Sequence, residues 1–204
     1  MDRNIIAILR GVRPVDVVGI GAALIDEGIT RIEVPLNSPE ALKSISMLVK
    51  EFSSVAQLGA GTVLSIQDVQ DVAATGAKLI VSPNCDPQII AETKRLGMVS
   101  FPGALTPSEC FSALKNGADG IKIFPAFKMG EDGLQALRAV LPPDVQVYAV
   151  GGVGPDNFAQ WRQAGADGFG LGSCIFKPGM STLEVGEKAR VVVSAYDAAF
   201  ADAR

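Results

Sequence analysis

The stretch Ala118-Asp119-Gly120-Ile121-Lys122-Ile123-Phe124-Pro125-Ala126 places one lysine inside a short apolar run. Side chains alternate between the two faces of a strand, so Ile121 and Ile123 face one way and Lys122 faces the other. Apolar residues on both faces are typical of a buried parallel strand. The stretch therefore predicts a parallel strand whose single lysine points into the protein.

A lysine in such a position has a distinct chemistry. Removing the ammonium group from water is costly, so we expect burial to lower the pKa of Lys122. A neutral amine is a nucleophile that forms a Schiff base with a carbonyl substrate. The competing interpretation is a lysine near the end of a strand whose long side chain reaches solvent.

Composition and charge exclude several classes of protein. We expect the 204 residues to form one domain, 1–204, since no linker, low-complexity tract or charge block divides them. A formal charge of −4 argues against nucleic acid as a partner, because phosphate backbones require a basic surface. No apolar run approaches the ~20 residues of a membrane span, so no membrane association is expected. Three widely spaced cysteines, Cys85, Cys110 and Cys174, favour a reducing cytoplasm over a disulfide framework.

The chain contains no histidine, which restricts the chemistry available to it. Ser-His-Asp and Cys-His catalysis are excluded, and so are most zinc sites. Any catalysis must therefore use lysine, carboxylates, arginine, tyrosine, cysteine or backbone groups.

A weak internal repeat indicates the architecture. Glycine ends several helix-like segments, where a helix C-cap needs a left-handed residue, and a short apolar strand follows each glycine. These glycines are Gly28, Gly76, Gly97, Gly117 and Gly165. Counted from Ile5–Leu9, eight strands alternate with helices, of which the last covers Leu183–Phe200. Eight βα units predict an α/β fold of the (β/α)8 TIM-barrel type rather than an open sheet.

Polar side chains just before a proline predict where three helices begin. They occur in Asn37-Ser38-Pro39-Glu40, Asn84-Cys85-Asp86-Pro87 and Thr106-Pro107-Ser108-Glu109. Asparagine, aspartate and threonine accept hydrogen bonds from the first helical turn, and proline fits that turn well. We expect an N-cap in each segment.

The active site of such a barrel lies at the carboxyl ends of its strands, where several polar residues fall. Arg10 follows strand one, Glu33 faces inward in strand two like Lys122 in strand six, and Thr62 follows strand three. Glu33 and Lys122 could form a plain buried ion pair. The gathering of all four at one end favours a catalytic site, in which Glu33 transfers protons while Arg10 and Thr62 bind a carboxylate.

Glycine-rich segments follow the last two strands, as Gly151-Gly152-Val153-Gly154 and Gly170-Leu171-Gly172-Ser173. Such loops expose backbone N–H groups, and the loops at these two positions commonly bind phosphate in this fold. Glycines also serve tight turns, so the position of the loops carries the interpretation more than their composition.

Four motifs, taken together and in order, resemble the KDPG/KHG class I aldolase family, which cleaves 2-keto-3-deoxy-6-phospho sugar acids. The motifs are Glu33-Val34-Pro35-Leu36-Asn37-Ser38-Pro39, Gly59-Ala60-Gly61-Thr62-Val63, Ser82-Pro83-Asn84 and Ile121-Lys122-Ile123-Phe124-Pro125-Ala126. The resemblance runs from Ile5 to beyond Ser173. It implies a (β/α)8 barrel that forms a cytoplasmic homotrimer, binds a phosphorylated keto-deoxy sugar acid, and uses no metal or cofactor.

The resemblance also implies a role for each site residue. Lys122 would form the Schiff base with the pyruvate part of the substrate, and Glu33 would be the general acid and base. The residues expected at the pyruvate end are Arg10, Thr62 and Pro83. The residues expected at the phosphate are Gly151, Gly152, Gly172 and Ser173.

Two positions indicate a branch of the family. Asn37 and Val150 are similar to the galactonate-type enzymes, whereas gluconate-type members typically have Leu-Arg-Thr at Leu36-Asn37-Ser38 and threonine at position 150. The two substrates differ in the configuration at C4, and one hydroxyl hydrogen bond is worth about 0.5–1.5 kcal/mol, so we expect a preference of about tenfold for the galactonate. The alternatives are the gluconate epimer as main substrate, a phosphosugar isomerase or epimerase, and a ligand-binding barrel without catalysis.

Overall fold

The computed structural model describes residues 3–201. Strands and helices alternate along these residues, and one short 3-10 turn, Pro155–Asn157, precedes the seventh helix. The strands are β1 Ile5–Ile8, β2 Arg31–Pro35, β3 Gln57–Gly61, β4 Leu79–Val81, β5 Val99–Phe101, β6 Gly103–Ala104, β7 Gly120–Ile123, β8 Gln146–Val150 and β9 Gly168–Leu171. The helices are α1 Pro14–Asp26, α2 Ala41–Phe52, α3 Ile66–Ala74, α4 Pro87–Arg95, α5 Pro107–Lys115, α6 Ala126–Arg138, α7 Phe158–Gln163 and α8 Thr182–Ala199.

The strands form one parallel sheet in the order β5-β4-β3-β2-β1-β9-β8-β7-β6. Its two ends, β5 and β6, are separated in the chain by Pro102 alone, so they occupy one position of a closed eight-position barrel. The amide of Asp119 donates to the Ser100 carbonyl at 3.0 Å, and that of Lys122 to the Pro102 carbonyl at 2.9 Å, across the closure. The (β/α)8 barrel predicted from the repeat is confirmed.

The fifth predicted strand differs from the expectation, because it is split. Proline has no N–H to donate to a sheet and is tolerated only where the ladder is interrupted. Pro102 therefore divides the strand into β5 and β6 without opening the barrel.

Alternation along the strands builds two apolar layers. Ile32, Val34, Ile121 and Ile123 face outward into the large core between the sheet and the helices. The barrel interior holds a smaller cluster, consisting of Ile6, Leu79, Val81, Phe101, Tyr148 and Val150. Glu33 lies between two outward-facing neighbours and therefore points inward, as predicted.

Two of the three predicted helix starts are confirmed and one is wrong. Asp86 accepts hydrogen bonds from the first turn of α4, and Thr106 forms a capping box with Glu109 at α5. Helix α2 begins at Ala41 instead, after Glu40 in a left-handed conformation, without any side-chain cap. Asn37 and Ser38 bond to the loop after β1, so a long-range contact replaces the local one. In the part of the chain that the structure describes, no helix has the length and apolar character needed to span a bilayer.

Candidate active site

Glu33 and Lys122 line one cavity inside the barrel, near the carboxyl ends of the strands, an end that we call the mouth. Glu33 is held by β2 and Lys122 by β7, and their exposed fractions are 2% and 7%. The rest of the lining is mainly apolar, with Ile8, Val81 and Val150 among the side chains around them. An acid and an amine are thus brought together in a buried, mainly apolar environment.

The carboxyl group of Glu33 is poorly satisfied. Its Oε2 atom is buried and makes no hydrogen bond with any residue that the structure describes. Burial raises the pKa of Glu33 to about 7, against the opposing effect of the positive charges of Lys122 and Arg10. A carboxyl group with a pKa near neutrality can both donate and accept a proton in one reaction cycle.

Burial has the opposite effect on the lysine. Desolvation lowers the pKa of Lys122, the carboxylate of Glu33 opposes that effect, and the charge of Arg10 adds to it. The lowered pKa increases the fraction of neutral, nucleophilic amine. The Nζ atom lies 4.7 Å from the centroid of the Phe124 ring, a contact that was not predicted from the sequence. Phe124 follows Lys122 by two residues, so strand alternation could have placed both side chains on one face.

Gly61 provides the space that the Glu33 carboxyl group occupies. A Cβ atom at position 61 would overlap both oxygens and the carbon of that carboxyl group. The sequence points to Gly61 only as a member of the motif Gly59-Ala60-Gly61-Thr62-Val63. The available signal was its spacing of two from Gly59. Residues two apart in a strand share a face, so two glycines at this spacing leave space on one face of the strand.

The residues expected at the pyruvate end all follow strands at the mouth. Arg10 is exposed after β1, and its Nη1 atom donates to Oδ1 of Asn37 at 2.6 Å. Thr62 follows β3 with a φ of 56°, a left-handed conformation that is strained for a β-branched residue. Pro83 is half-buried after β4, and its carbonyl lies beside Gly103. Backbone strain of this kind is concentrated at functional sites.

The two glycine loops are neighbours at the mouth, because β8 pairs with β9. Gly151 and Gly152 both have positive φ, at 93° and 74°, which only glycine adopts readily. A Cβ atom at Gly172 would meet nothing within 4 Å, and Ser173 beside it is exposed. The loops thus leave open space flanked by backbone groups and one hydroxyl.

Within residues 3–201, no three histidine, cysteine, aspartate or glutamate side chains gather as a possible metal site. Among these residues, the two ionisable groups buried at the mouth are the amine of Lys122 and the carboxyl group of Glu33. Fold and site together define a (β/α)8 barrel that holds a buried lysine and a buried glutamic acid at its mouth.

Comparison with known proteins makes the assignment specific. The family model for KDPG and KHG aldolase matches residues 1–192, and the chain belongs to this family. A relative from Rhizobium meliloti (strain 1021), described as a probable 2-dehydro-3-deoxy-6-phosphogalactonate aldolase, is 46% identical over 98% of this chain and 94% of its own length. A solved structure of native KDPGal superposes with a TM-score of 0.97 at 42% identity, covering 98% of both chains.

A more distant structure comes from the same family. KDPG aldolase from Legionella pneumophila, with pyruvate captured as a covalent carbinolamine intermediate, has a TM-score of 0.79 and 25% identity over 97% of this chain and 94% of its own. The resemblance to the family is confirmed, and the more similar proteins carry the galactonate name.

Proposed function

We propose that this protein is a class I aldolase, a carbon–carbon lyase that cleaves 2-dehydro-3-deoxy-6-phosphogalactonate to pyruvate and D-glyceraldehyde 3-phosphate. The observation that carries the proposal is the pair of buried groups in one cavity, a lysine with lowered pKa and a glutamic acid with a pKa near 7. The names of the relatives support the choice of substrate.

The reaction begins when the neutral amine of Lys122 attacks the C2 ketone and forms a carbinolamine. Protonated Glu33 gives its proton to the departing hydroxyl group, water leaves, and a protonated imine remains. The C3–C4 bond then breaks, its electron pair enters the imine, and the Glu33 carboxylate accepts the proton of the C4 hydroxyl group. Glyceraldehyde 3-phosphate departs.

The second half of the cycle returns the lysine. The enamine takes up a proton at C3 from Glu33. Water then attacks the resulting imine and gives a proton to the Glu33 carboxylate, which returns to its protonated form. Collapse of the carbinolamine releases pyruvate and free Lys122. The carbinolamine captured in a family member supports this course.

The substrate lies across the mouth in this proposal. Arg10, Thr62 and Pro83 hold its pyruvate end, with the arginine suited to grip a carboxylate. The residues that bind the phosphate are Gly151, Gly152, Gly172 and Ser173. The left-handed glycines of the first loop and the open space above the second support a bulky anion at that position.

Val150 supports the galactonate over its gluconate epimer, because this side chain lines the cavity beside the catalytic pair without a hydroxyl group. Replacing Val150 with Thr adds a hydroxyl group and keeps nearly the same side-chain shape. We expect kcat/KM for the gluconate to rise up to about tenfold relative to the galactonate, the effect of one neutral hydrogen bond. An unchanged ratio would mean that other residues select the C4 configuration.

Borohydride reduction in the presence of pyruvate tests the central claim. A reduced imine should appear as a mass increase of the intact protein and map to the peptide that contains Lys122. Folded protein without an adduct would overturn the aldolase proposal and favour an isomerase or a binding barrel. Lys122 would then be only a buried ion-pair partner of Glu33.

The proposal includes a cytoplasmic homotrimer. Free thiols at Cys85, Cys110 and Cys174 fit a reducing compartment. Helices α3 and α5 both contact α4, and exposed apolar side chains lie within or just before α3 and α5. These are Leu64, Ile66, Leu105 and Phe111. Exposed apolar side chains on this side of the barrel support burial against further copies of the chain, and light scattering would test the mass of the assembly.

A further inference from the structure

Asn37 and Ser38, in the loop after β2, form hydrogen bonds with the segment that carries Arg10. Asn37 Oδ1 accepts a hydrogen bond from Arg10 Nη1 at 2.6 Å, and Ser38 Oγ accepts one from the backbone N–H of Gly11 at 2.9 Å. Ser38 itself is buried, and its amide donates to the carbonyl of Pro35 at 2.9 Å. Two adjacent residues of the loop after β2 thus anchor two adjacent residues of the loop after β1.

The same segment is packed on its other side. A Cβ atom built at Gly11 would lie 2.7 Å from Cγ of Pro178, in the loop between β9 and α8. The Leu9 amide donates to the Glu33 carbonyl at 2.9 Å, which fixes the end of β1 against the strand of the general acid. The base of the Arg10 side chain therefore has little freedom, and its guanidinium direction depends on Asn37.

We propose that Asn37 is a positioning residue, whose side-chain amide aims the Arg10 guanidinium at the carboxylate of the substrate, with Ser38 as a second anchor for the backbone. This inference rests on the proposed aldolase function. A guanidinium group has five N–H donors, and Asn37 occupies one of them. The others stay free for a bidentate grip, which demands a fixed orientation more than a point charge does.

The electrostatics agree with this direction. The positive charge of Arg10 lowers the pKa of both Glu33 and Lys122, so the guanidinium lies near enough to this pair to act on both groups. Both ends of the substrate are anionic, a carboxylate and a phosphate. Strand β1, which Arg10 follows, lies between β2, which carries Glu33, and β9, which precedes the second glycine loop.

The test uses the exchange of pyruvate methyl protons with solvent, a half-reaction that needs the carboxylate and no phosphate. Asn37→Ala should raise the KM for pyruvate about five- to tenfold, with kcat for exchange within about twofold, because a hydrogen bond to a charged group is lost. Ser38→Ala should shift KM in the same direction. In an Arg10→Ala background, Asn37→Ala should add less than about twofold, because a positioning residue acts only through its partner.

The matched control is Gln70→Ala. Gln70 is an exposed amide that donates to Glu92 at 2.9 Å between two neighbouring helices, away from the mouth. Its removal should leave KM unchanged.

The failures are distinguishable. Wild-type protein that does not exchange pyruvate protons would overturn the proposed function itself. If the wild type exchanges pyruvate protons and Asn37→Ala does so with the same KM, only the positioning role is overturned. The same conclusion follows if Asn37→Ala raises KM equally in the presence and in the absence of the Arg10 side chain. Arg10→Ala could also leave the KM for pyruvate unchanged and reduce the preference for glyceraldehyde 3-phosphate over glyceraldehyde in the synthetic direction. That result would assign Arg10 to the phosphate and overturn the carboxylate assignment.

Discussion

The barrel interior has polar groups at both ends, and the two ends differ in how fully these groups are paired. At the amino end of the strands, Arg31 Nη1 donates to Asn4 Oδ1 at 2.8 Å and to the Tyr148 hydroxyl at 2.7 Å. At the mouth, Glu33 Oε2 has no hydrogen-bond partner in the described chain, and Lys122 faces an aromatic ring. An apolar layer that includes Ile6 and Phe101 separates the two ends.

The contrast distinguishes a structural polar cluster from a reactive one. Fully paired buried groups stabilise a fold, whereas a buried charge without a hydrogen-bonding partner costs free energy. The barrel tolerates that cost at the mouth, where the shifted pKa values of Glu33 and Lys122 suit the proton donor and the nucleophile that we propose. The following experiments test the contrast, from the largest expected effect to the smallest.

Replacing Lys122 with Ala should have the largest effect. Loss of the nucleophile removes the covalent route, so we expect aldol cleavage to fall by at least about 10⁴-fold while the protein stays folded. Steady-state kinetics and circular dichroism would measure the two quantities. Lys122→Arg keeps a positive charge beside Glu33 and should be equally inactive. Substantial activity in either variant would make the lysine a mere ion-pair partner.

Replacing Glu33 with Gln should lower kcat by about 10²–10⁴-fold, the usual contribution of a positioned acid and base. The amine remains, so slow imine formation with pyruvate should still be detectable by borohydride trapping. A near-normal kcat would show that Glu33 is not the acid and base of the reaction.

The same substitution should change how stability depends on pH. The pKa of Glu33 is about 7 in the folded protein against an ordinary value of 4.5, so its stabilising contribution is fully present below pH 4.5 and is lost as the pH rises through 7. We therefore expect the free energy of unfolding of the wild type, relative to Glu33→Gln, to fall by about 3 kcal/mol between pH 4 and pH 8. Glu33→Gln also removes the charge that opposes the lowering of the Lys122 pKa, so the difference reports the titration of the coupled pair. Urea unfolding at the two pH values measures the difference, and a constant difference would contradict the raised pKa.

Replacing Gly61 with Ala should displace the Glu33 carboxyl group, because the added methyl group would overlap it. We expect kcat to fall about 10- to 100-fold and the protein to lose about 1–3 kcal/mol of stability through overpacking. Gly186→Ala is the matched control, since its new Cβ would meet only Ala23 at 3.9 Å. Equal kinetics of the two variants would show that the position of the carboxyl group is not limiting.

Replacing Asn4 with Ala should have the smallest effect on catalysis. Asn4 accepts a hydrogen bond from Arg31 and donates one to the Asp167 carbonyl at 3.1 Å, both at the amino end of the barrel. We expect a loss of about 1–3 kcal/mol in the free energy of unfolding and a kcat/KM within about twofold of wild type. A large kinetic defect would mean that the two polar ends are coupled through the apolar layer.

Local patterns in the sequence were sufficient for much of the architecture. Alternation around Lys122 and Glu33 correctly turned both side chains inward, and the glycine-ended repeat predicted the closed barrel. The same local reasoning was wrong at Asn37 and Ser38, which were expected to cap a helix. Their actual partners, Arg10 and Gly11, lie 27 residues away in the chain, and only the adjacency of β1 and β2 brings them within reach.

By itself, the sequence determined the strand–helix alternation, the inward direction of the lysine and the exclusion of histidine chemistry, because these depend on residue type and on a period of two. Tertiary structure decided what each inward side chain meets: the space that Gly61 leaves for Glu33, the Phe124 ring beside Lys122, and the bond between Asn37 and Arg10. Barrel closure and strand register set these contacts. The shifted pKa values follow from them, since desolvation depends on every element that surrounds a group.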